Sequence, residues 1–195
     1  MRILIACEES QTETVAFRRL GHEAYSCDVQ ECSGGHPEWH IHGDVLPLID
    51  GDCTFRTSDG ATHTIKGEWD MLIAHPPCTF LTASSAVRLF PKGGVDLERM
   101  KKGIAASHFF MRFIHARCQR IAVENPVPLK FFGLPPYDQI TEPFFFGDPW
   151  RKRTCYWLKN LPPLMPTDVC IPKGLWVGST SYRAKPEKPE SKDMS

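Results

Sequence analysis

The sequence predicts an α/β fold built on a mostly parallel sheet of the Rossmann-like kind, and three observations carry this prediction. Short apolar runs recur along the chain, and acidic or thiol-bearing residues follow several of them. The first two runs flank one helical segment, as in a β-α-β unit. The 195 residues suffice for one domain with its own core. In an open sheet of this kind, ligands bind beyond the carboxyl ends of the strands, so functional residues are expected there.

The N-terminal segment predicts the β-α-β unit. Residues 2–6 form a short apolar strand, and residues 22–27 form a second one. Between them, apolar residues recur with helical spacing up to Leu20, after Ser10 or Thr12 as candidate cap. The Gly-x-Gly-x-x-Gly turn of dinucleotide-binding proteins is absent after the first strand, which argues against a pyrophosphate-bearing ligand at this turn.

Acidic side chains follow the next two strands. Asp28 ends the second strand, where an acid typically accepts hydrogen bonds from the hydroxyl groups of a bound ribose. A third strand over residues 39–42 leads to Asp44, whose carboxylate can accept a hydrogen bond from the exocyclic amine of a purine. The cysteines and histidines between residues 27 and 42 match no standard zinc-ligand spacing, so we expect no metal site.

A cysteine follows the fourth apolar run. Residues 71–74 predict a buried strand, which Pro76 and Pro77 end before Cys78. A thiol on a rigid turn at the carboxyl end of a strand is positioned like a nucleophile, although most unpaired cysteines are small buried hydrophobic residues. The following loop, residues 79–94, is suited to closing over a substrate, or is a plain connector.

The rest of the chain predicts a helix capped by Asp96 and then three strands. The first strand, over residues 118–123, ends in the carboxylate of Glu124. Two further strands, over residues 143–147 and 154–158, are expected to form an antiparallel hairpin.

The connection within this hairpin carries Arg151 and Arg153. Alternate side chains of an extended segment project to one face, so the two guanidinium groups could converge on one anion or base. A solvated hairpin tip is the alternative interpretation.

Composition excludes several classes of protein. The formal net charge is zero, with 23 basic and 23 acidic residues, so the whole chain lacks the basic signature of many nucleic-acid binders, although local patches remain open. No apolar run approaches the roughly 20 residues of a membrane span. The eight cysteines are expected to be mostly reduced, as in an intracellular protein.

The predicted domain organisation has three parts. Residues 1–161 form a catalytic domain, and residues 50–68 form an inserted surface hairpin with an Asp59-Gly60 turn. A proline-rich extension covers residues 162–178. The polar, charged segment 179–195 is expected to be a disordered tail.

The order of these residues resembles that of the cytosine-C5 DNA methyltransferase family. The catalytic Pro-Cys of that family matches Pro77-Cys78, and its Glu-Asn-Val matches Glu124-Asn125. The Arg-x-Arg part of its Gln-x-Arg-x-Arg motif matches Arg151-Lys152-Arg153. The similarity covers roughly residues 2–160. In its general features the chain resembles short phage and prophage members of the family.

The resemblance implies a Rossmann-like class I methyltransferase sandwich, with a mostly parallel sheet and a C-terminal antiparallel hairpin. It also implies S-adenosylmethionine-dependent methyl transfer to C5 of cytosine in DNA. Cys78 would add covalently to C6, protonated Glu124 would hydrogen-bond N3, and Arg151 and Arg153 would orient the base. By the same resemblance, the methyl donor would contact Cys7, Glu8, Asp28, Asp44 and Pro76, and the substrate would contact Pro77, Thr79, Ser84 and Asn125.

The chain departs from the family at three points. Cys7-Glu8-Glu9-Ser10 replaces a glycine-rich turn, Pro149 replaces the glutamine of the arginine motif, and no target-recognition domain is evident after Leu161. We therefore expect DNA as partner, with a second subunit or a homodimer completing the site, in the cytoplasm of a bacterial or phage-infected cell. Two alternatives stay open: the same chemistry on a free pyrimidine nucleotide, or a catalytically weak DNA- or protein-binding relic of the fold.

Overall fold

The computed structural model describes residues 1–173, and the chain divides into two units. The core unit comprises Met1–Thr141 and Arg153–Met165, and the described part of the small unit comprises Glu142–Lys152 and residues 166–173. The predicted tail and the end of the predicted proline-rich extension lie outside the described residues.

The core unit holds nine strands and three α-helices. The helices are α1 (Thr12–Arg19), α2 (Ala86–Leu89) and α3 (Leu97–Ile114). The strands are β1 (Arg2–Ala6), β2 (Glu23–Asp28), β3 (His40–His42), β4 (Cys53–Arg56), β5 (Thr62–Ile65), β6 (Met71–Ala74), β7 (Ile121–Pro126), β8 (Gln139–Thr141) and β9 (Thr154–Lys159).

Seven of these strands form one sheet in the order β3-β2-β1-β6-β7-β9-β8. Neighbouring strands from β3 to β7 run parallel, and β9 pairs antiparallel with both β7 and β8. The chain winds outward from β1 in one direction and returns to β6 on the other side, which creates a crevice at the carboxyl ends of β1 and β6. The strand order and the antiparallel C-terminal pair confirm the predicted Rossmann-like methyltransferase fold.

Apolar side chains cover both faces of the central strands, as a parallel sheet buried on both sides requires. Residues Ile3 to Ala6 of β1 have no exposed surface. Leu4 belongs to the larger core, which includes α3, whereas Ile3 and Ile5 face a smaller cluster that Phe17 of α1 joins.

The largest helix, α3, begins at a side-chain cap and packs against the sheet. Asp96 accepts a hydrogen bond from the backbone N–H of Arg99 at 2.9 Å, as the sequence predicted. The ring of Phe110 meets Trp157 of β9 edge-on, with ring centroids 4.8 Å apart. Gly103 is also buried in this helix and faces the ring of Phe132.

The strands β4 and β5 form a separate antiparallel hairpin. Its Phe55 lies edge-on to Tyr25 of β2, with ring centroids 5.0 Å apart. His63 accepts or donates a hydrogen bond at the Tyr25 hydroxyl, 3.0 Å away. This aromatic contact holds the hairpin on the core unit.

Two predicted strands are corrected. Residues 143–147 do not form a strand, because Pro143–Phe145 is a 3-10 turn. On the side away from β7, the strand that pairs with β9 is Gln139–Thr141. Proline has no N–H for a sheet ladder and its fixed φ favours the first position of a helical turn. The strand predicted to end at residue 123 instead pairs with β9 as far as Pro126.

Two further observations concern membrane spans and disulfides. Among the described residues, none of the helices combines the length and apolarity that crossing a bilayer requires. None of the eight cysteines, all of which lie within residues 1–173, forms a disulfide.

Candidate active site

A cavity of about 390 Å³ opens in the core unit at the carboxyl ends of β1, β2, β3 and β6. We call it the strand-end cavity. Its volume lies within the range of small-molecule sites, about 300–1,000 Å³. It brings together the two acids that the sequence singled out, Asp28 and Asp44. The lining consists of Cys7, Glu9, Cys27, Asp28, Val29, Gln30, Gly43, Asp44, Val45, His75, Pro77 and Phe109.

The first turn shapes one wall of this cavity. Cys7 has a φ of 61°, and its backbone N–H donates to the carbonyl of Cys27 at 2.7 Å. Burial, reinforced by the charges of Asp28 and Asp44, raises the pKa of the Cys7 thiol to about 12. Cys7 is therefore a neutral wall of the cavity at physiological pH, and its contact with the methyl donor stays a prediction.

Glu8 is turned inward and caps α1. Its side chain is buried, and its carboxylate accepts from the N–H of Glu13 at 2.6 Å and from the Thr14 hydroxyl at 2.6 Å. Burial raises the pKa of Glu8, while these donors act in the opposite direction. Glu8 therefore supplies the main cap. The hydroxyl of Ser10, one of the two predicted caps, accepts from the N–H of Thr12 only over 3.5 Å. The contact of Glu8 with the methyl donor remains a prediction.

His75 directly follows β6 and lies between two carboxylates. Its Nε2 is 3.0 Å from Oε2 of Glu13 in α1, and its Nδ1 is 3.7 Å from Oε1 of Glu124 in β7. Burial alone would lower the pKa of His75, but Glu124 and Glu13 overcome this and raise it to about 10. The ring is therefore an imidazolium at neutral pH.

Sequence reasoning missed both His75 and Glu13. The available signal was a histidine at the carboxyl end of a strand, immediately before the Pro-Pro-Cys turn. Glu13 gave no such signal, because only the packing of α1 on the sheet brings its side chain to His75.

The predicted catalytic pair is carried by neighbouring strands. Cys78 is half-buried, and its carbonyl accepts from the N–H groups of Leu81 and Thr82, at 3.0 and 3.2 Å. It thus lies at the start of a helical turn, four residues beyond β6. Glu124 lies within β7, opposite Tyr156 of β9, and its side chain is 22% exposed.

Asn125 connects β7 to the Pro-Pro turn. It is completely buried, and its Nδ2 donates to the carbonyl of Pro76 over 3.5 Å, a long contact. Within residues 1–173, its Oδ1 has no hydrogen-bond partner. This burial places Asn125 beneath the turn, and its predicted substrate contact stays untested.

The segment after Cys78 is ordered by contacts rather than being a long open loop. It contains a 3-10 turn, Ala83–Ser85, followed by α2. Ser84 lies 2.9 Å from Thr82, oxygen to oxygen. The guanidinium of Arg99 donates to the carbonyl of Thr79 at 2.9 Å and lies over the ring of Phe80. These contacts fix the chain beside Cys78.

The two arginines fall in different units. Arg151 belongs to the small unit and Arg153 to the core unit, and both are exposed. Burial raises the pKa of Cys155 to about 11, and the charge of Arg153 opposes this rise. Arg153 is thus close to β9, and the convergence of both arginines on one base stays a prediction.

A groove of about 430 Å³ lies on the α1 face of the core unit. Its floor is apolar and includes Ile73 and Ala122. Glu13, His75, Glu124 and Tyr156 form its polar boundary. His75 therefore lines both this groove and the strand-end cavity.

Comparisons with known proteins add little to this geometry. No protein-family model matches the sequence, and no curated protein matches it. One similar solved structure is described as an rRNA methylase from Escherichia coli, 14% identical, with a TM-score of 0.38. The match covers 81% of this chain and 57% of that chain. A similarity this distant carries no functional argument, so the methyltransferase-like fold rests on the strand order itself.

Proposed function

We propose that the chain is an S-adenosylmethionine-dependent methyltransferase that acts on C5 of cytosine in DNA. One observation carries the proposal. A cavity with two carboxylates at the ends of β2 and β3 is also lined by His75 and by Pro77, the residue directly before Cys78. His75 lies 3.7 Å from the carboxylate of Glu124 in β7. The sequence motifs at Cys78 and Glu124 give this arrangement its chemistry.

The strand-end cavity suits a phosphate-free cationic nucleoside. Asp28 and Asp44 both line this cavity. We expect Asp28 to accept hydrogen bonds from ribose hydroxyls and Asp44 to accept one from an adenine amine. The N-terminus of α1, where many nucleotide-binding proteins hold a phosphate, already holds the carboxylate of Glu8. S-adenosylmethionine has no phosphate and carries a positive sulfonium, which an acidic cavity favours. When bound, it supplies an electrophilic methyl group.

The proposed reaction begins with the thiolate of Cys78. Its sulfur forms a bond to C6 of cytosine, and the displaced electron pair is stabilised by protonation of N3 through Glu124. C5 becomes nucleophilic and takes the methyl group. Solvent water or hydroxide takes the C5 proton as the C6–sulfur bond breaks and Cys78 leaves as the thiolate. N3 gives its proton back to Glu124, which restores the aromatic ring. A base extruded from DNA can reach the half-buried thiol.

Methyl transfer is tested by incubating the protein with tritiated S-adenosylmethionine and duplex DNA, single-stranded DNA or dCMP. Label in DNA supports the proposal. Label in dCMP alone would indicate that the substrate is a free nucleotide rather than DNA. Label in none of the three substrates would refute both the DNA and the free-nucleotide hypothesis.

Covalent trapping tests the nucleophile. DNA containing 5-fluorocytosine should form a stable adduct, seen as a shifted band on a denaturing gel. Cys78→Ser should abolish the adduct. Cys53→Ser is the matched control, because Cys53 is also half-buried but lies in the β4–β5 hairpin. If the Cys78→Ser protein still formed the covalent adduct, Cys78 could not be the nucleophile.

A further inference from the structure

The imidazole of His75 joins two carboxylates from different elements into one chain of contacts. Glu13 comes from the first turn of α1, His75 from the residue after β6, and Glu124 from β7. The two ring nitrogens face different partners, with Nε2 3.0 Å from Glu13 and Nδ1 3.7 Å from Glu124. We call this set the Glu-His-Glu chain.

The Glu-His-Glu chain differs from the other histidine–glutamate pairs in residues 1–173. The His36–Glu38 and His42–Glu31 pairs each join one imidazole to one carboxylate, with side chains 38–72% exposed. The side chains of His75 and Glu124 are only 25% and 22% exposed, whereas that of Glu13 is 39% exposed. Solvent therefore screens the His75–Glu124 contact less than the surface pairs.

Two carboxylates facing the two ring nitrogens favour a proton on each nitrogen. A neutral imidazole has one N–H and one lone pair, so the lone pair would face a carboxylate oxygen. The cationic ring donates toward both. The raised pKa of His75, about 10, agrees with this reading, since the two carboxylates outweigh the effect of burial.

The position of His75 places its ring protons near the residues of the proposed reaction. His75 is two residues from Pro77 and three from Cys78, and it lines the strand-end cavity. A carboxylate held against an imidazolium has a proton available from its neighbour. Glu124 can therefore pass a proton to a substrate without being protonated beforehand.

We propose that His75 is a positioning residue that supplies, through Glu124, the proton that N3 of the pyrimidine takes up when Cys78 adds to C6. This inference rests on the proposed function. As the sulfur–C6 bond forms, Glu124 gives a proton to N3 and receives one from Nδ1 of His75. The ring becomes neutral and keeps its Nε2–H toward Glu13. Expulsion of Cys78 reverses both transfers.

Substrate binding must shorten one contact for this transfer. The 3.7 Å between Nδ1 and Glu124 is an ion-pair distance and exceeds that of a hydrogen bond. Catalytic hydrogen bonds are often long in proteins without substrate and tighten in the complex. Glu13 anchors the other side of the ring, so the ring can turn without losing its position.

Other titratable groups surround His75 from each packed element, and any pH dependence has to be read against them. Glu13 and Glu124 are the two that raise its pKa. Each of the remaining neighbours lines the strand-end cavity, the groove or a third, smaller pocket that His75 also lines. They are Cys7, Glu8, Glu9, Asp28, Asp44 and Tyr156.

The decisive measurement is the pH profile of single-turnover methylation between pH 6 and 10.5. The methylation rate of the parent protein should fall at alkaline pH, and the position of this alkaline limb should be set by the deprotonation of His75. Glu13→Gln keeps the ring but removes one carboxylate, so the limb should move down by about 1–3 pH units. His75→Gln should abolish the limb and lower the rate by about 10²–10⁴-fold. His36→Gln, at a surface pair, should leave rate and limb unchanged.

A purely structural role for His75 gives a different result. His75→Gln would then lower the rate while the alkaline limb stayed in place, and Glu13→Gln would not move it. Either outcome overturns the proposal.

A histidine NMR titration of the substrate-free protein separates this inference from the proposed function. It should place the pKa of His75 far above the ordinary histidine value of 6.5, and Glu13→Gln should lower it. Titration of His75 near its ordinary value overturns the proton supply even if DNA is methylated. A high value together with no methylation of any pyrimidine substrate refutes the proposed function and leaves the charged ring without this role.

Discussion

Replacing Gly103 by alanine tests how α3 packs over the segment that follows β7. A Cβ at this position would lie 2.0 Å from Cζ and 2.3 Å from Cε1 of Phe132. Carbon atoms in contact prefer about 3.5–4.0 Å, so the ring would have to retreat by about 1.5 Å. Phe132 ends a 3-10 turn, Lys130–Phe132, and its ring meets Phe131 edge-on at 5.2 Å. These contacts limit its retreat.

Two opposing effects set the magnitude. Alanine favours a helix interior over glycine by about 1 kcal/mol. Overpacking a filled site costs about 1–3 kcal/mol, and a contact this short belongs at the upper end of that range. Gly103→Ala should therefore destabilise the protein by a net 1–2 kcal/mol, to order of magnitude.

A double-mutant cycle in urea measures this balance. In a Phe132→Ala background the obstructing ring is gone, so Gly103→Ala should stabilise by up to about 1 kcal/mol, which gives a coupling of about 2–3 kcal/mol. Ala105→Gly, at an exposed position of the same helix, reports the helix preference alone. A Gly103→Ala protein as stable as the parent, or the same effect in both backgrounds, would refute the packing argument.

Three further predictions concern the site. Glu8→Ala should lower the free energy of unfolding by about 1–2 kcal/mol in urea melts, since the N–H of Glu13 and the Thr14 hydroxyl lose their acceptor; an unchanged midpoint would contradict the cap. Because the folded pKa of His75, about 10, exceeds the ordinary 6.5, its charge should stabilise the fold fully below pH 6.5 and progressively less up to pH 10. A pKa shift of one unit corresponds to about 1.36 kcal/mol. The free energy of unfolding lost in His75→Gln should therefore approach an upper limit of about 4–5 kcal/mol at pH 6 and vanish by about pH 10. A difference between parent and variant that does not change with pH would be inconsistent with a charged ring. Asp28→Asn and Asp44→Asn should each weaken S-adenosylmethionine binding by about 10–100-fold in calorimetry, with melting unchanged; unaltered affinity would exclude that acid from the site.

Local pattern was sufficient to predict the central strands and the start of α3. The apolar runs of β1 and β6 are too short for helices, and each ends in polar or proline-containing turns, so periodicity and breakers agree. The capping role of Asp96 was also local, because a cap acts within three residues. Where local signals agree with tertiary packing, as here, a single sequence suffices.

The buried face of α3 could not be predicted in the same way. The apolar spacing of Met100, Ile104 and Phe113 predicts that Ile104 lies on that face. Ile104 is nevertheless 43% exposed, and Gly103 and Ser107 are buried. The reason is Phe132, whose ring fills the space above Gly103 and leaves room only for small residues. Helical periodicity carries no information on the size of a side chain, such as Phe132, that packs against the helix from elsewhere in the chain.

The candidate site was predictable in part for a related reason. Asp28 and Asp44 each follow a parallel strand, and the carboxyl ends of such strands meet at one edge, so their encounter follows from topology. The contact between Glu13 and His75 depends on how α1 rotates on the sheet. Nothing in the spacing of 62 residues specifies that rotation.

The outermost strands of the seven-stranded sheet, β3 and β8, are each only three residues long. Edge strands present unpaired backbone groups that can template growth onto another chain, and short edges limit this. Pro143 lies two residues beyond β8, where it offers no N–H for extending the ladder. The two short edge strands therefore limit strand pairing between copies at both edges of the sheet. We expect any association between copies to use faces of the protein, which would keep the backbone ladder of each copy intact.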